Sequence, residues 1–251
     1  MRIVVCIKRV PDTAARVKVS DDGESIDPSG LKYVVSPYDE FAIEAALRLK
    51  DEAGGEGEVA VVTLGDESAA EQLRSGLAMG ADRAVLLKGA AETPDGLAVA
   101  KALAGALEAL EADLVLFGMK AVDDDQQQVG PMVAELMGRG CATVVAEMEL
   151  EDGAVVCRRE VEGGVEVVEI PLPAVVTVTK GAYEPRYPSL KGIMAAKRKP
   201  LEEREAEVPA GRIALRELSS PPERPEGRIV GEGADAVPEL VRLLREEAKV
   251  F

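Results

Sequence analysis

The sequence predicts an α/β protein in which a mostly parallel sheet is covered by helices on both faces. Short, continuous apolar runs such as RIVVCI at residues 2–7 are typical of buried strands. These runs alternate with segments of helical periodicity, as βαβ units do. From Thr143 onward, apolar and charged residues alternate instead, which predicts an antiparallel meander added to the sheet.

The first elements are predicted to be a strand, a loop and a small hairpin. The strand covers residues 2–7, and residues 8–12 form a loop at its carboxyl end. Residues 17–20 and 24–27 flank the turn sequence Asp-Asp-Gly at 21–23, a pattern that favours a hairpin.

A helix is predicted to begin after Ser36 and to end at Gly54 and Gly55. Ser36 is a favourable N-cap, Pro37 suits the first helical position, and Asp39 stands where a capping box has an acid. The expected buried stripe comprises Phe41, Ala42, Ala45, Ala46 and Leu49.

Two further strands and two helices follow in alternation. Residues 58–65 and 83–87 are apolar strand segments, separated by a helix over about 67–79 that ends at Gly80. The next helix is predicted to begin at 93–95, Thr-Pro-Asp. Its apolar face comprises Leu97, Ala100, Leu103, Leu107 and Leu110.

The stretch 113–138, DLVLFGMKAVDDDQQQVGPMVAELMG, is predicted to be a strand, a polar loop and a helix. Ligands of open α/β sheets bind at such a carboxyl end of a strand. Backbone N–H groups at a helix start favour an anion, so residues 127–130 are predicted to hold a phosphate. The alternative is an acidic, solvated helix start with Asp124 or Asp125 as N-cap.

The remaining segments are predicted to be four meander strands and a weakly structured tail. The strands are TVVAEMELE, AVVCRREVE, VEVVEIPLP and AVVTVTK, separated mainly by glycine-containing turns. Residues 201–226 are rich in Pro and Glu, and a last amphipathic helix is expected at about 238–248. A basic cluster precedes them, formed by Arg186, Lys191, Lys197, Arg198 and Lys199.

The composition excludes several classes of function. The chain of 251 residues has no histidine, which excludes Ser-His-Asp and Cys-His hydrolysis and nearly all zinc catalysis. Its three widely spaced cysteines argue against a disulfide framework or an iron–sulfur cluster. A net charge of −16 disfavours nucleic acid as a partner. If the protein takes part in a reaction, a cofactor is expected to carry the chemistry.

No segment predicts membrane insertion. No apolar run approaches the ~18 residues that a span needs, and the start, MRIVVCIKRVPD, lacks the form of a signal peptide. We therefore expect a cytoplasmic protein.

Six motifs closely resemble the β subunit of electron transfer flavoproteins, in the order of that family and nearly end to end. They are VVCIKRVPD, SPYDEFAIEAALRLKDE, GLAMGADRA, DLVLFGMKAVDDDQQQVG, REVEGGVEVVEIPLPAVVTV and EPRYPSLKGIM. The resemblance implies a Rossmann-like, three-layer αβα sheet of the adenine-nucleotide-binding type. Residues 1–185 would form this core, and 186–251 a recognition loop and an extended C-terminal arm that packs on the α subunit.

The resemblance also implies a non-enzymatic electron carrier. Such a carrier is an αβ heterodimer that takes electrons from acyl-CoA dehydrogenases and passes them to a membrane-bound quinone oxidoreductase. FAD is held mainly by the α subunit, and Tyr38 and the loop near Thr13 would approach the flavin of this FAD. Leu190 corresponds to the leucine that docks on the dehydrogenase.

In this family the β subunit binds AMP in a structural role. Carried over by motif, the AMP contacts are Cys6, Ser36, Pro37, Tyr38, Asp39, Leu64, Ala121, Val122, Asp123, Asp124, Asp125, Gln126, Gln127, Gln128, Val129, Gly130, Pro131 and Met132.

Two alternatives remain open at this point. A universal-stress-type nucleotide-binding module shares the sheet architecture but would lack the meander and the tail. A bifurcating relative would hold a second, redox-active FAD in place of AMP. Asp123-Asp124-Asp125 resembles the AMP type, whereas Gln128-Val129-Gly130-Pro131 resembles the bifurcating group.

Overall fold

The computed structural model describes residues 1–89, 95–223 and 226–251. These residues divide into two units, 1–217 and 218–251. The strands are β1 (Arg2–Cys6), β2 (Arg9–Pro11), β3 (Tyr33–Val35), β4 (Glu58–Gly65), β5 (Arg83–Lys88), β6 (Leu114–Gly118), β7 (Gly140–Glu151), β8 (Ala154–Val161), β9 (Gly164–Pro171), β10 (Ala174–Val178) and β11 (Leu201–Glu205). The α-helices are α1 (Pro37–Glu52), α2 (Ala70–Met79), α3 (Gly96–Ala109), α4 (Val129–Leu136), α5 (Leu190–Ala196) and α6 (Val237–Glu246).

A nine-stranded sheet in the order β11-β5-β4-β1-β6-β10-β7-β8-β9 organises the first unit. The strands from β11 to β7 are parallel to their neighbours, and β8 and β9 continue as an antiparallel meander. The predicted fold class, a mostly parallel α/β sheet with an added meander, is therefore confirmed.

The position of β10 differs from the prediction. The sequence pattern predicts AVVTV as part of the meander, but β10 lies parallel between β6 and β7. All five of its residues are buried, as in a strand covered by helices on both faces rather than half-exposed at a sheet edge.

Helices cover both faces of the sheet because alternate strand residues point to opposite sides. In β1, Ile3 and Val5 belong to one apolar cluster, with α1 and α2. Val4 and Cys6 belong to the other, with α3 and α4. These two clusters form the core of the three-layer arrangement.

The predicted loop at 8–12 contains a short strand. Here β2 pairs antiparallel with β3 and forms a separate two-stranded sheet. The hairpin predicted at 17–27 is reduced to a single bridge between Val19 and Ile26.

The helix α1 begins and ends as predicted, but its cap differs. Ser36 occupies the N-cap position without making a side-chain capping bond. Gly54 and Gly55 follow the helix with φ of +75° and +81°, the left-handed conformation that glycine adopts without strain.

The start of α3 is partly described. Asp95 caps the helix, and its Oδ1 accepts from the N–H groups of Leu97 at 2.8 Å and Ala98 at 3.4 Å. The predicted starting residues Thr93 and Pro94 lie outside the described residues.

The segment after residue 185 contributes more to the first unit than expected. The strand β11 extends the sheet at β5, and α5 packs beside α2. Residues 186–217 therefore belong to the same unit as the sheet. In the second unit, α6 corresponds to the helix predicted at about 238–248. Among the described residues, no helix has both the length and the hydropathy needed to cross a bilayer.

Candidate functional site

A cleft of about 400 Å³ lies at the carboxyl ends of the central parallel strands. Residues following β1, β4, β5 and β6 form one part of its wall, and the starts of α3 and α4 form another. This is the position at which ligands bind in open α/β sheets.

Ten of the predicted contact residues line this cleft. They are Cys6, Asp39, Leu64, Ala121, Asp124, Gln126, Gln127, Gln128, Val129 and Gly130. The other eight lie beside it rather than in its wall. They are Ser36, Pro37, Tyr38, Val122, Asp123, Asp125, Pro131 and Met132.

The start of α4 offers unpaired backbone donors. The helix begins at Val129, and the N-cap Gln128 makes no side-chain capping bond. Within the described parts of the chain, the N–H groups of Val129 and Gly130 have no hydrogen-bond acceptor. Such donors at a helix N-terminus favour an anion.

Neither Asp124 nor Asp125 caps α4, so the alternative in which one of them is the N-cap is wrong. The helix begins too late for either residue. Instead, Asp124 Oδ1 accepts from the N–H of Gln126 at 3.3 Å. Asp125 and Gln127 have φ of +53° and +54°, and this turn delays the start of the helix.

Glycine is required at two positions in the cleft wall by close packing. A Cβ on Gly130 would lie 2.7 Å from Thr177 Cγ2. A Cβ on Gly118 would overlap the Asp39 carboxylate and lie 2.6 Å from the carbonyl carbon of Tyr38.

Asp39 joins three elements instead of capping its own helix. Its Oδ2 accepts from the N–H of Lys8 at 2.7 Å, and its Oδ1 accepts from the N–H of Gly118 at 3.0 Å. Burial raises the pKa of Asp39 to about 7, despite these two hydrogen bonds. The capping-box interpretation is wrong because the backbone N–H groups of Lys8 and Gly118, near the carboxyl ends of β1 and β6, donate to this carboxylate instead.

Two lysines neutralise much of the acidic loop. Lys8 Nζ lies 2.8 Å from Asp123 Oδ2 and 2.9 Å from Asp124 Oδ2, and Lys120 Nζ lies 3.0 Å from Asp125 Oδ1. Burial alone would lower the pKa of Lys8, but the hydrogen bonds and charges of Asp123 and Asp124 raise it. The lysine therefore stays protonated at neutral pH.

Part of the cleft wall is apolar. It includes Leu64, Val99, Leu103 and Phe117. Cys6 adds a neutral thiol, because burial raises its pKa and the charge of Asp39 adds to this effect. An apolar wall facing a few polar groups is the usual form of a small-molecule site.

Sequence reasoning missed several wall residues. Gly118 is the last residue of β6, and Lys8 and Lys120 lie two residues beyond the ends of β1 and β6. The rule that ligands bind at the carboxyl edge could therefore have identified them. Gly96, Val99 and Leu103 come from α3, which reaches the cleft by packing against α4. No local pattern in the sequence indicates this packing.

The residues implied as partner contacts lie on the surface of the first unit. Leu190 is the first residue of α5, and its exposed fraction is 83%. Tyr187, Ile193 and Met194 are also exposed. Thr13 is exposed in the loop after β2.

Comparison with known proteins gives a consistent set of relatives. A family model described as the electron transfer flavoprotein domain matches residues 25–209. Proteins named electron transfer flavoprotein subunit beta are similar over 100% of both chains. Those of Bradyrhizobium diazoefficiens and Bacillus subtilis are 41% and 40% identical to this chain. The mitochondrial one of Arabidopsis thaliana is 36% identical.

Proposed function

The chain belongs to the electron transfer flavoprotein family as a β subunit, and from this premise we propose its place in electron transfer. It pairs with an α subunit that holds most of the FAD. The heterodimer accepts electrons from acyl-CoA dehydrogenases and delivers them to a membrane-bound quinone oxidoreductase. The chain is a carrier subunit rather than an enzyme.

The flavin supplies the redox chemistry when it is bound, and the residues of this chain support that division of roles. The chain has no histidine. Burial raises the pKa of all three cysteine thiols, Cys6, Cys141 and Cys157. Buried neutral thiols are poor nucleophiles and poor redox groups.

In this proposal the cleft binds AMP. The observation that carries it is that the same cleft contains an apolar surface and the N–H groups of Val129 and Gly130, which have no acceptor among the described residues. The phosphate would bind at the α4 start, and the adenine would pack on the side of Leu64 and Phe117. A Cβ on Gly130 would collide with Thr177, so glycine at this position allows the start of α4 to pack closely on the sheet.

The second candidate ligand is FAD, as in bifurcating relatives, and the sequence Gln128-Val129-Gly130-Pro131 favours it. The cleft volume of about 400 Å³ favours AMP, because small-molecule sites span ~300–1,000 Å³ and this value is near the lower end. A universal-stress-type module is disfavoured by the meander β7-β8-β9.

Counting the bound nucleotides tests the proposal. The chain is produced together with its α subunit, the heterodimer is denatured, and the released nucleotides are separated by chromatography. We expect one FAD and one AMP per heterodimer, and no flavin on the β chain purified alone. Two FAD and no AMP per heterodimer would instead identify the bifurcating type.

Docking on the dehydrogenase is proposed to involve α5 and the residues before it. Leu190, Ile193 and Met194 present apolar surface, and Lys191 and Lys197 are exposed beside them. In a chain of net charge −16, such a local basic cluster favours an acidic rim on the partner.

A further inference from the structure

The acidic loop beside α4 poses an electrostatic problem for an anionic ligand. The cleft wall contains the carboxylates of Asp39, Asp66 and Asp124 and the cations of Lys8 and Lys120. Asp123 and Asp125 lie next to this wall on the same loop. Uncompensated carboxylates near the α4 start would repel a phosphate, because charges at short range interact strongly away from bulk water.

The structure shows how Asp123 and Asp124 are compensated. Both oxygens of Asp123 contact Lys8 Nζ, Oδ1 at 2.9 Å and Oδ2 at 2.8 Å. Asp124 Oδ2 contacts the same Nζ at 2.9 Å, while its Oδ1 accepts from the N–H of Gln126. One ammonium group therefore holds two carboxylates.

Lys8 is also fixed through its backbone. Its N–H donates to Asp39 at 2.7 Å. Asp39 also accepts from Gly118 at the end of β6, so the backbone of Lys8 is held at the carboxyl ends of the neighbouring strands β1 and β6. With its Nζ on the two aspartates, Lys8 keeps their negative charge at one side of the cleft.

We propose that Lys8 is a positioning residue that makes the cleft compatible with an anion by holding Asp123 and Asp124 as a partly neutralised cluster. This inference rests on the proposed AMP site and concerns selectivity for the phosphate. Without Lys8, the cleft would lose affinity for the nucleotide while keeping its affinity for the neutral nucleoside.

The test compares adenosine with AMP. Binding of both ligands is measured by calorimetry on heterodimers stripped of AMP, for the unmodified chain and for Lys8→Gln. We expect AMP to bind about 10-fold more weakly or worse in Lys8→Gln, because Asp123 and Asp124 would then repel its phosphate. Adenosine should bind within about 3-fold of the unmodified protein, because it has no phosphate to repel.

Salt and compensating variants sharpen the result. In Lys8→Gln, AMP binding should recover as the salt concentration rises, because salt screens repulsion. Lys8→Arg and the double variant Lys8→Gln/Asp124→Asn should each recover part of the AMP affinity. Lys88→Gln is the matched control, since Lys88 bridges Glu67 and Glu203 at the end of β5, outside the wall of this cleft. It should bind both ligands normally.

Each other outcome contradicts the role of Lys8. Equal losses of AMP and adenosine would mean that Lys8 only maintains the structure, and unchanged AMP binding would mean that the aspartates do not affect the phosphate. Heterodimers of the unmodified chain that bind no AMP would overturn both this inference and the proposed site. If the unmodified chain binds AMP normally but Lys8→Gln does not weaken AMP more than adenosine, only the inference about Lys8 would be overturned.

Discussion

At the scale of single residues, Asp39 connects the fold to the site. Its carboxylate receives backbone N–H groups from Lys8 and Gly118, at the ends of two neighbouring strands. The family resemblance predicts that Asp39 contacts the nucleotide, whereas its spacing from Ser36 predicts a helix cap. The competing donors come from residues 31 and 79 positions away, which no local pattern reveals.

The titration of Asp39 predicts a pH dependence of stability. Burial raises its pKa from 3.8 to about 7 in the folded protein. The stabilising contribution of protonated Asp39 is complete below pH 3.8 and is lost as the pH rises through 7. Between about pH 5.5 and 8, we expect the free energy of unfolding to fall by about 2 kcal/mol from this group.

The measurement is urea unfolding of the heterodimer across that pH range, with Asp39→Asn for comparison. Asparagine cannot accept from both N–H groups, so it costs stability at every pH, but it does not titrate. The unmodified protein should show the additional downward slope. Identical slopes would contradict the raised pKa.

Substitution of Leu190 should weaken docking on the dehydrogenase without affecting flavin binding. If its side chain enters a pocket on the dehydrogenase, Leu190→Ala should weaken that complex by ~10–150-fold, because burying such a side chain contributes ~1.5–3 kcal/mol. Steady-state reduction by an acyl-CoA dehydrogenase at varied carrier concentration measures this loss. Flavin content should stay normal.

An exposed valine on β9 provides the control for Leu190. Val165 has an exposed fraction of 63%, and Val165→Ala removes similar apolar surface elsewhere. Its kinetics should match those of the unmodified chain. If Leu190→Ala behaves the same way, or loses flavin, the docking role is wrong.

At the scale of elements, periodicity predicts the helices better than the strand partners. The helices α1, α2 and α6 begin and end close to the predicted positions. The strands β10 and β11 were misassigned or missed because their partners, β6 and β5, lie far away in sequence. Residues 201–205, LEERE, have no apolar pattern at all, since an edge strand needs backbone bonds rather than burial.

A reciprocal set of hydrogen bonds joins α5 to α2. Arg74 Nη1 donates to the carbonyl oxygens of Ala196 and Lys199 at 2.5 and 2.9 Å. In return, Lys199 Nζ donates to the carbonyl oxygens of Leu77, Gly80 and Ala81 near the end of α2. A lysine there also complements the helix dipole.

This contact predicts a loss of stability on substitution. Lys199→Met keeps the apolar stem but removes the charged donor, so we expect unfolding to become easier by about 1.5–3 kcal/mol. Hydrogen exchange in α5 should also accelerate. Urea unfolding and exchange mass spectrometry provide the measurements. The exposed neighbour Lys197, changed to Met, should have little effect, and equal effects of both variants would refute the capping role.

At the scale of the whole molecule, the first unit has a buried apolar core and the second unit lacks one among the described residues. Residues 218–251 contain one α-helix of ten residues and no buried hydrophobic residue among those described. So short a segment rarely forms an independent core. The composition of this segment predicts an arm. Residues 201–217 belong to the first unit because β11 pairs with β5, and composition does not predict that pairing.

We expect the protease sensitivity of residues 218–251 to change when the α subunit binds. Limited proteolysis of the isolated chain should cut within 218–251, and assembly with the α subunit should suppress these cuts if the arm packs on that subunit. Residues 201–205 should resist in both states because β11 is part of the sheet. Equal cutting of the arm before and after assembly would show that it does not pack on the α subunit.

The location of β10 between β6 and β7 also constrains the order in which the strands can pair during synthesis at the ribosome. The strands β1, β4, β5 and β6 can pair as they emerge, but β7, β8 and β9 have no place in the sheet until β10 appears after them. During that interval the edge of β6 stays open, and open strand edges promote aggregation. Nascent chains that end at residue 172, followed by an unstructured linker that spans the ribosomal exit tunnel, should therefore be protease-sensitive at 140–171. Chains that end at residue 185 before the same linker should be resistant there.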